Sequence, residues 1–308
     1  MILMKRSVFL GLVSAGALVL ASCSPRTETA APAAGPVSGP VKTLRFSAIP
    51  NQNSTELKAK FDPMAAYLAG VLGVPVEFVP SSDYKASVDM FKNGQIQLAW
   101  FGGVTGVQAR AAVPGAQAIV QGQEDTAFRS FFIAHKDSGV EPSETFPEAL
   151  GGLKFAFGAE TSTSGRVMPS WFIRQQTGKT EDQFFAEKPI FSGSHDKTCE
   201  LVEAGQVQAG VVDYTVYNKR VAAGTTDAGV CRVVWETPAY PDYNFTVHPA
   251  VDADFGSGFT EKLRAALIGM TTEKPELLKA FPREALIEAK NSDYAAVEDV
   301  CRELGLVR

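Results

Sequence analysis

The chain is poor in the residues that most often announce chemistry. It carries 4 cysteines and 3 histidines among 308 residues. No histidines stand at ligand spacing and no cysteines at a zinc-binding interval, so no metal centre is expected, at His195-Asp196 or elsewhere, and no cofactor motif stands out. Positive charge is also short. Twenty-nine Lys and Arg face 34 Asp and Glu, a net −5, so no broad positive field draws in nucleic acid or an anionic membrane surface. An anionic ligand must then be recognised locally, by hydrogen-bond donors and helix ends. No Gly-x-Ser-x-Gly elbow is present, and no repeat or low-complexity segment follows residue 42. With 45% hydrophobic and 20% charged residues, the composition is that of a globular protein.

Long hydrophobic runs are missing too. The stretch from Val8 to Leu20, behind Lys5 and Arg6, is too short to span a bilayer as a helix. It ends in Leu20-Ala21-Ser22-Cys23, which resembles a bacterial lipoprotein signal peptide. That implies cleavage before Cys23, lipidation of its thiol, and a mature domain outside the cytoplasm, periplasmic or at the cell surface. An ordinary secretory signal with a chance cysteine is the alternative, and it too exports the chain. Removal of residues 1–22 leaves 286 residues (308 − 22) and, with Lys5 and Arg6 gone, a charge of −7 (−5 − 2). Residues 23–42 contain Pro25, Pro32, Pro36 and Pro40 among alanines and read as a tether. Cys199, Cys231 and Cys301 cannot all pair: either Cys199 bonds Cys231 in an oxidising compartment, or three buried thiols remain.

Order is expected from Thr43. Leu44–Ala48 alternates as a strand, and Leu57, Phe61, Met64, Ala65, Leu68 and Leu72 fall on one helical face, with Pro63 marking a kink or the true helix start. Further strands are expected at 74–79, 97–101, 117–121, 131–135, 154–158, 189–191, 209–213 and 232–236, alternating with helices such as 84–93, and helices close the chain from Gly258 onward. Such alternation predicts βαβ units and a mostly parallel sheet. The strands exceed one compact sheet, so the expected architecture is α/β in two lobes. Residues 43–130 with 237–308 form the first lobe and 131–236 the second.

Five segments carry chemistry. After the strand ending at Gly158 come Thr161-Ser162-Thr163-Ser164-Gly165, more hydroxyls than one N-cap needs. Free N–H groups at a helix start, plus hydroxyl donors, suit a compact anion without any lysine. Ser194-His195-Asp196 repeats the theme, and a neutral His195 still donates one hydrogen bond to an oxyanion. Asp213, ending the strand Ala209–Val212, either takes a proton from a protonated oxyanion or caps the next helix. Tyr84 and Trp100-Phe101-Gly102-Gly103 sit at strand ends; the aromatics there suit core packing, while Gly102 and Gly103 allow close backbone approach. In α/β sheets ligands gather beyond the carboxyl ends of strands, so two facing lobes make a cleft.

From about Thr43 to Asp299 these motifs, in this order, resemble the phosphonate/phosphate/phosphite family of periplasmic substrate-binding proteins of ABC transporters. The resemblance implies the type II binding-protein fold, with two lobes joined by two hinge strands and the ligand in the cleft between them. It implies an oxyanion held by Tyr84, Ser162, Thr163, Ser164, His195 and Asp213, and delivery to a cognate permease and its ATPase. Phe61-Asp62-Pro63, Leu98–Gly106 and Tyr240-Pro241-Asp242-Tyr243-Asn244 are similar to a branch described as selenate or selenium-oxyanion binding. Phosphonate binders typically carry Pro and Tyr where this chain has Gly103 and Gly106, which favours a smaller, bare oxyanion. Asp213 in first contact would disfavour fully ionised selenate and favour a protonated species such as hydrogen phosphate, phosphite or selenite. The expected protein is a monomeric, lipid-anchored solute-binding component of an importer. The rivals are a sensory or structural lipoprotein of the same fold, and a serine hydrolase using Ser164, His195 and Asp213.

Overall fold

A computed structural model describes residues 42–52 and 54–308; the signal peptide, Cys23 and all of the tether but Lys42 lie outside them. Eleven strands form two sheets among the described residues. The first has the order β11-β4-β10-β3-β1-β2 and the second β7-β6-β8-β5-β9. The first sheet contains β1 (Leu44–Ala48), β2 (Val76–Phe78), β3 (Leu98–Phe101), β4 (Gln117–Gly122), β10 (Asn244–Val247) and β11 (Leu286–Glu288). The second contains β5 (Ser130–His135), β6 (Phe155–Phe157), β7 (Ile190–Phe191), β8 (Ala209–Asp213) and β9 (Cys231–Glu236).

The helices are α1 (Ser54–Leu72), α2 (Tyr84–Lys92), α3 (Gly103–Ala112), α4 (Met168–Thr177), α5 (Glu181–Phe184), α6 (His195–Glu203), α7 (Tyr214–Ala222), α8 (Ala250–Phe255), α9 (Phe259–Glu273) and α10 (Ala295–Glu303). Among the described residues no helix is long and apolar enough to cross a membrane. Helix α1 begins well before Pro63 and runs through it, so Pro63 is not the helix start. The cost of an internal proline, about 3 kcal/mol, is offset by the burial of Leu57, Phe61, Met64, Leu68 and Leu72 on its inner face.

The expectation of a mostly parallel sheet needs correction. β1 pairs in parallel with β2 and β3, and β6 with β7 and β8. Yet β10 runs antiparallel between β3 and β4, β11 antiparallel to β4, and β5 antiparallel to β8 and β9. The chain leaves the first sheet after β4 and re-enters it at β10, and strands that follow a change of sheet have no βαβ crossover to fix a parallel direction. The strand β11 also interrupts the helices that close the chain.

Two segments connect the sheets, 123–129 and 237–243, and they are tied to each other. Phe128 and Tyr240 exchange backbone hydrogen bonds of 2.8 and 3.0 Å. Asp125 accepts from the backbone N–H of Asp242 through its carbonyl (3.0 Å) and of Tyr243 through its carboxylate (3.3 Å). The same carboxylate takes a two-pronged contact from Arg283, at 2.6 and 2.7 Å, with both side chains almost wholly buried. The Arg283 guanidinium lies 5.0 to 5.9 Å from the ring centres of Trp100, Phe128 and Tyr243. Cys199, Cys231 and Cys301 are buried free thiols, the first two in one small apolar cluster of the second lobe.

Candidate functional site

The hydroxyl loop sits where the two lobes meet. β6 ends at Phe157, and after the short link 158–161 Ser162 caps a wide turn, Thr163–Val167, that leads into α4. The Ser162 hydroxyl accepts the Gly165 N–H at 2.9 Å, and the Ser162 carbonyl accepts from Val167 at 2.9 Å, five residues on. A π-type turn precedes α4 and puts Ser162, Thr163 and Ser164 at its mouth. The N–H groups of Thr163 and Ser164 meet no acceptor among the described residues. Gly165 is required for this packing, because a Cβ there would lie 2.8 Å from the Ser162 hydroxyl and 3.0 Å from the His195 ring.

His195 is the first residue of α6, behind the N-cap Ser194. Its Nδ1 accepts the backbone N–H of Asp213 at 3.2 Å. An accepting nitrogen carries no proton, and burial lowers the ring's pKa although the Asp213 and Asp196 carboxylates pull it back. The imidazole is therefore neutral with its proton on Nε2, which is buried and has no partner among the described residues. That is a donor poised for an external acceptor.

Asp213 does what a helix cap does. One carboxylate oxygen accepts from the Thr215 N–H (2.7 Å), the Thr215 hydroxyl (2.7 Å) and the Val216 N–H (3.2 Å). The other accepts from the Tyr243 hydroxyl at 3.0 Å. The carboxylate does not touch the imidazole, and no hydrogen bond joins Ser164 to His195 among the described residues, so the three do not form a nucleophile-base-orienter relay.

The facing wall comes from the first lobe. Tyr84 opens α2 behind its cap Asp83; its ring is buried, and its pKa is raised chiefly by that burial. Gly102 and Gly103 start α3. A Cβ on Gly102 would lie 2.9 Å from the Thr163 hydroxyl, so the close approach its missing side chain permits here is that of the opposite lobe. The Thr163 hydroxyl accepts the Val104 N–H at 3.0 Å, while Gly103 donates to Asp242 at 2.8 Å. Trp100 and Phe101 are core residues: Trp100 packs on Tyr243, Phe245 and Phe281, and Phe101 on Phe91. The space beside Gly106 is filled, since a Cβ there would meet Asn244 and Arg110 at 2.9 Å.

All the expected residues except the two glycines thus converge as side chains at the junction, each no more than 4% exposed. Others join them. Asn51 accepts the His195 N–H through its carbonyl (3.3 Å) and donates to the Tyr243 hydroxyl (3.0 Å), which links β1's following loop to Asp213. Ser130 donates to the Ser164 carbonyl at 2.8 Å and meets the Tyr240 hydroxyl at 2.5 Å. Asp242 is wholly buried, and its Oδ2 has no partner among the described residues. Nothing local marks Asp242; the only signal is a polar-aromatic cluster, Tyr240–Asn244, just ahead of an apolar strand. Among the described residues no group of His, Cys, Asp and Glu is arranged to hold a metal ion.

A family model described as "ABC transporter, phosphonate, periplasmic substrate-binding protein" matches residues 46–294. The chain belongs to this family. It is 32% identical over 278 residues to a probable ABC transporter phosphite binding protein, PhnD1, of Prochlorococcus marinus, covering 89% of this chain and 93% of that one. It is 28% identical over 318 residues to the phosphate-import protein PhnD of Mycolicibacterium smegmatis, covering 94% of this chain and 93% of that one. The solved structure of the Prochlorococcus PhnD1 with methylphosphonate superposes with a TM-score of 0.81 at 32% identity, covering 86% of this chain and 98% of that one. The two-lobed type II fold of periplasmic binding proteins is therefore the fold of this chain. As a family member it is a periplasmic substrate-binding component of an ABC importer, working with a permease and an ATPase.

Proposed function

We propose that this protein captures a small tetrahedral oxyanion of the phosphite, phosphate and phosphonate class between its lobes, held to the membrane by a lipid on Cys23. The observation that carries the reading is the convergence of donors: the free N–H groups of Thr163 and Ser164, the Ser162–Ser164 hydroxyls and the His195 Nε2–H, all behind the wall made by Tyr84, Gly102 and Gly103. Neutral donors at a turn suit an anion, and a buried, water-poor site strengthens each bond. On this reading residues 43–130 with 237–308 form one lobe and 131–236 the other, and binding closes them about segments 123–129 and 237–243. The protein acts as a monomer and without turnover. Selenate and selenite are the second reading, on the same donors.

A thermal-shift panel with phosphite, methylphosphonate, phosphate, selenate, selenite and sulfate tests this directly. A ligand that binds only the folded state raises the melting temperature by mass action. Indifference to all six would overturn the reading.

A further inference from the structure

Asp242 stands in an unusual position for an acid in an anion site. It lies on the second connecting segment, and one oxygen takes the Gly103 N–H at 2.8 Å. Its other oxygen, Oδ2, is buried with no partner among the described residues. A bare carboxylate oxygen held out of water is costly, whereas a protonated one is a donor in search of an acceptor. Resting on the oxyanion reading above, we propose that Asp242 is a ligand-binding and specificity-determining residue. It holds the single proton shared between the protein and the bound oxyanion, so that a fully ionised dianion is captured as a proton-plus-dianion pair.

The surroundings agree. Burial pushes the Asp242 carboxyl up to about 8, and the Asp125 and Asp213 carboxylates push the same way against the Gly103 N–H and Thr163. Asp125 is matched by Arg283, and Asp213 is capped by Thr215, Val216 and Tyr243. The phenols of Tyr84, Tyr240 and Tyr243 are all raised, chiefly by burial, and His195 is neutral. These phenols and the imidazole stay uncharged between pH 7.5 and 9.5, the window of the test below. A dianion beside Asp242 raises its pKa further, so the complex keeps the proton that the free protein gives up. Affinity then falls as pH rises above the free protein's value. The same donor also removes the objection that Asp213 raised to fully ionised selenate, because Asp213 is occupied as a cap and Asp242 presents a proton.

Phosphite, already a dianion at these pH values, is the probe. Titration calorimetry of the wild type from pH 7.5 to 9.5, in buffers of different ionisation enthalpy, should show proton uptake that rises from a fraction of a proton per phosphite at pH 7.5 toward one at pH 9.5. The apparent Kd should rise toward about 10-fold per pH unit at the alkaline end. Asp242→Asn keeps the shape and a permanent donor, and should bind phosphite with no proton uptake and a Kd flat across the same range. A wild type that binds phosphite with no proton uptake, or a D242N protein that still takes up a proton, would overturn the proposal while leaving the oxyanion reading intact. Should D242N fail to fold, the wild-type proton count alone decides. Failure of the wild type to bind any oxyanion would overturn the oxyanion reading, and the proposal with it.

Discussion

Gly102→Ala isolates lobe closure from folding. Gly102 has φ −74° and ψ 167°, a conformation any residue adopts, so alanine brings no backbone strain. Its methyl would lie 2.9 Å from the Thr163 hydroxyl, 3.2 Å from the Asp242 carboxylate and 3.4 Å from Ile49. The first contact is too short, and Thr163 cannot swing away freely because its hydroxyl accepts the Val104 N–H at 3.0 Å. Relief requires the lobes to stay apart by some tenths of an ångström, which loosens that bond. Losing or weakening such buried bonds costs about 1–3 kcal/mol, or roughly 5- to 150-fold in affinity. Calorimetry with phosphite should show this loss, while the ligand-free melting temperature stays near that of the wild type. The cause is testable by a double-mutant cycle. Once Thr163→Ala has removed the hydroxyl, adding Gly102→Ala should cost little more. Full affinity in Gly102→Ala, or additive losses in the double mutant, would refute this account of closure.

Other expectations follow from buried groups elsewhere. Asp125→Asn strands the Arg283 guanidinium and should cost about 3–5 kcal/mol in urea unfolding, much of it recovered in D125N/R283M; an unchanged midpoint for D125N would contradict the pairing. His195 titrates below its ordinary 6.5 in the folded chain, so its contribution to stability is complete above that pH and is lost as pH falls toward the folded value, by up to about 1.4 kcal/mol per pH unit. His195→Gln should remove that component, and equal acid sensitivity of the two proteins between pH 6.5 and 5 would argue against a neutral, buried ring.

Much of the fold was legible because local pattern determines local structure. The strands Leu44–Ala48 and Ala209–Asp213 fall where apolar residues cluster, and α2 begins at Tyr84 behind a capping aspartate. Strand direction was not legible, since periodicity shows which segments are strands but not their partners. β10 escaped for a related reason: all four of its residues are buried although Asn244 and Thr246 are polar, and Arg110 satisfies those two from α3. A buried strand with polar residues on one side looks like a loop. In the site, the hydroxyl run, His195 and Asp213 were visible because each stands at a helix start, where sequence alone names the orphan N–H groups. Asp242 was not, since its role depends on Gly103, 139 residues away in the chain.

The bridge between Arg283 and Asp125 has a consequence for where such a protein works. Outside the cytoplasm the ionic strength is whatever the surroundings impose. Charges at a surface feel this fully, but a pair sealed among Trp100, Phe128 and Tyr243 is hardly screened. The tie between the two connecting segments therefore keeps the same geometry in dilute and in briny water.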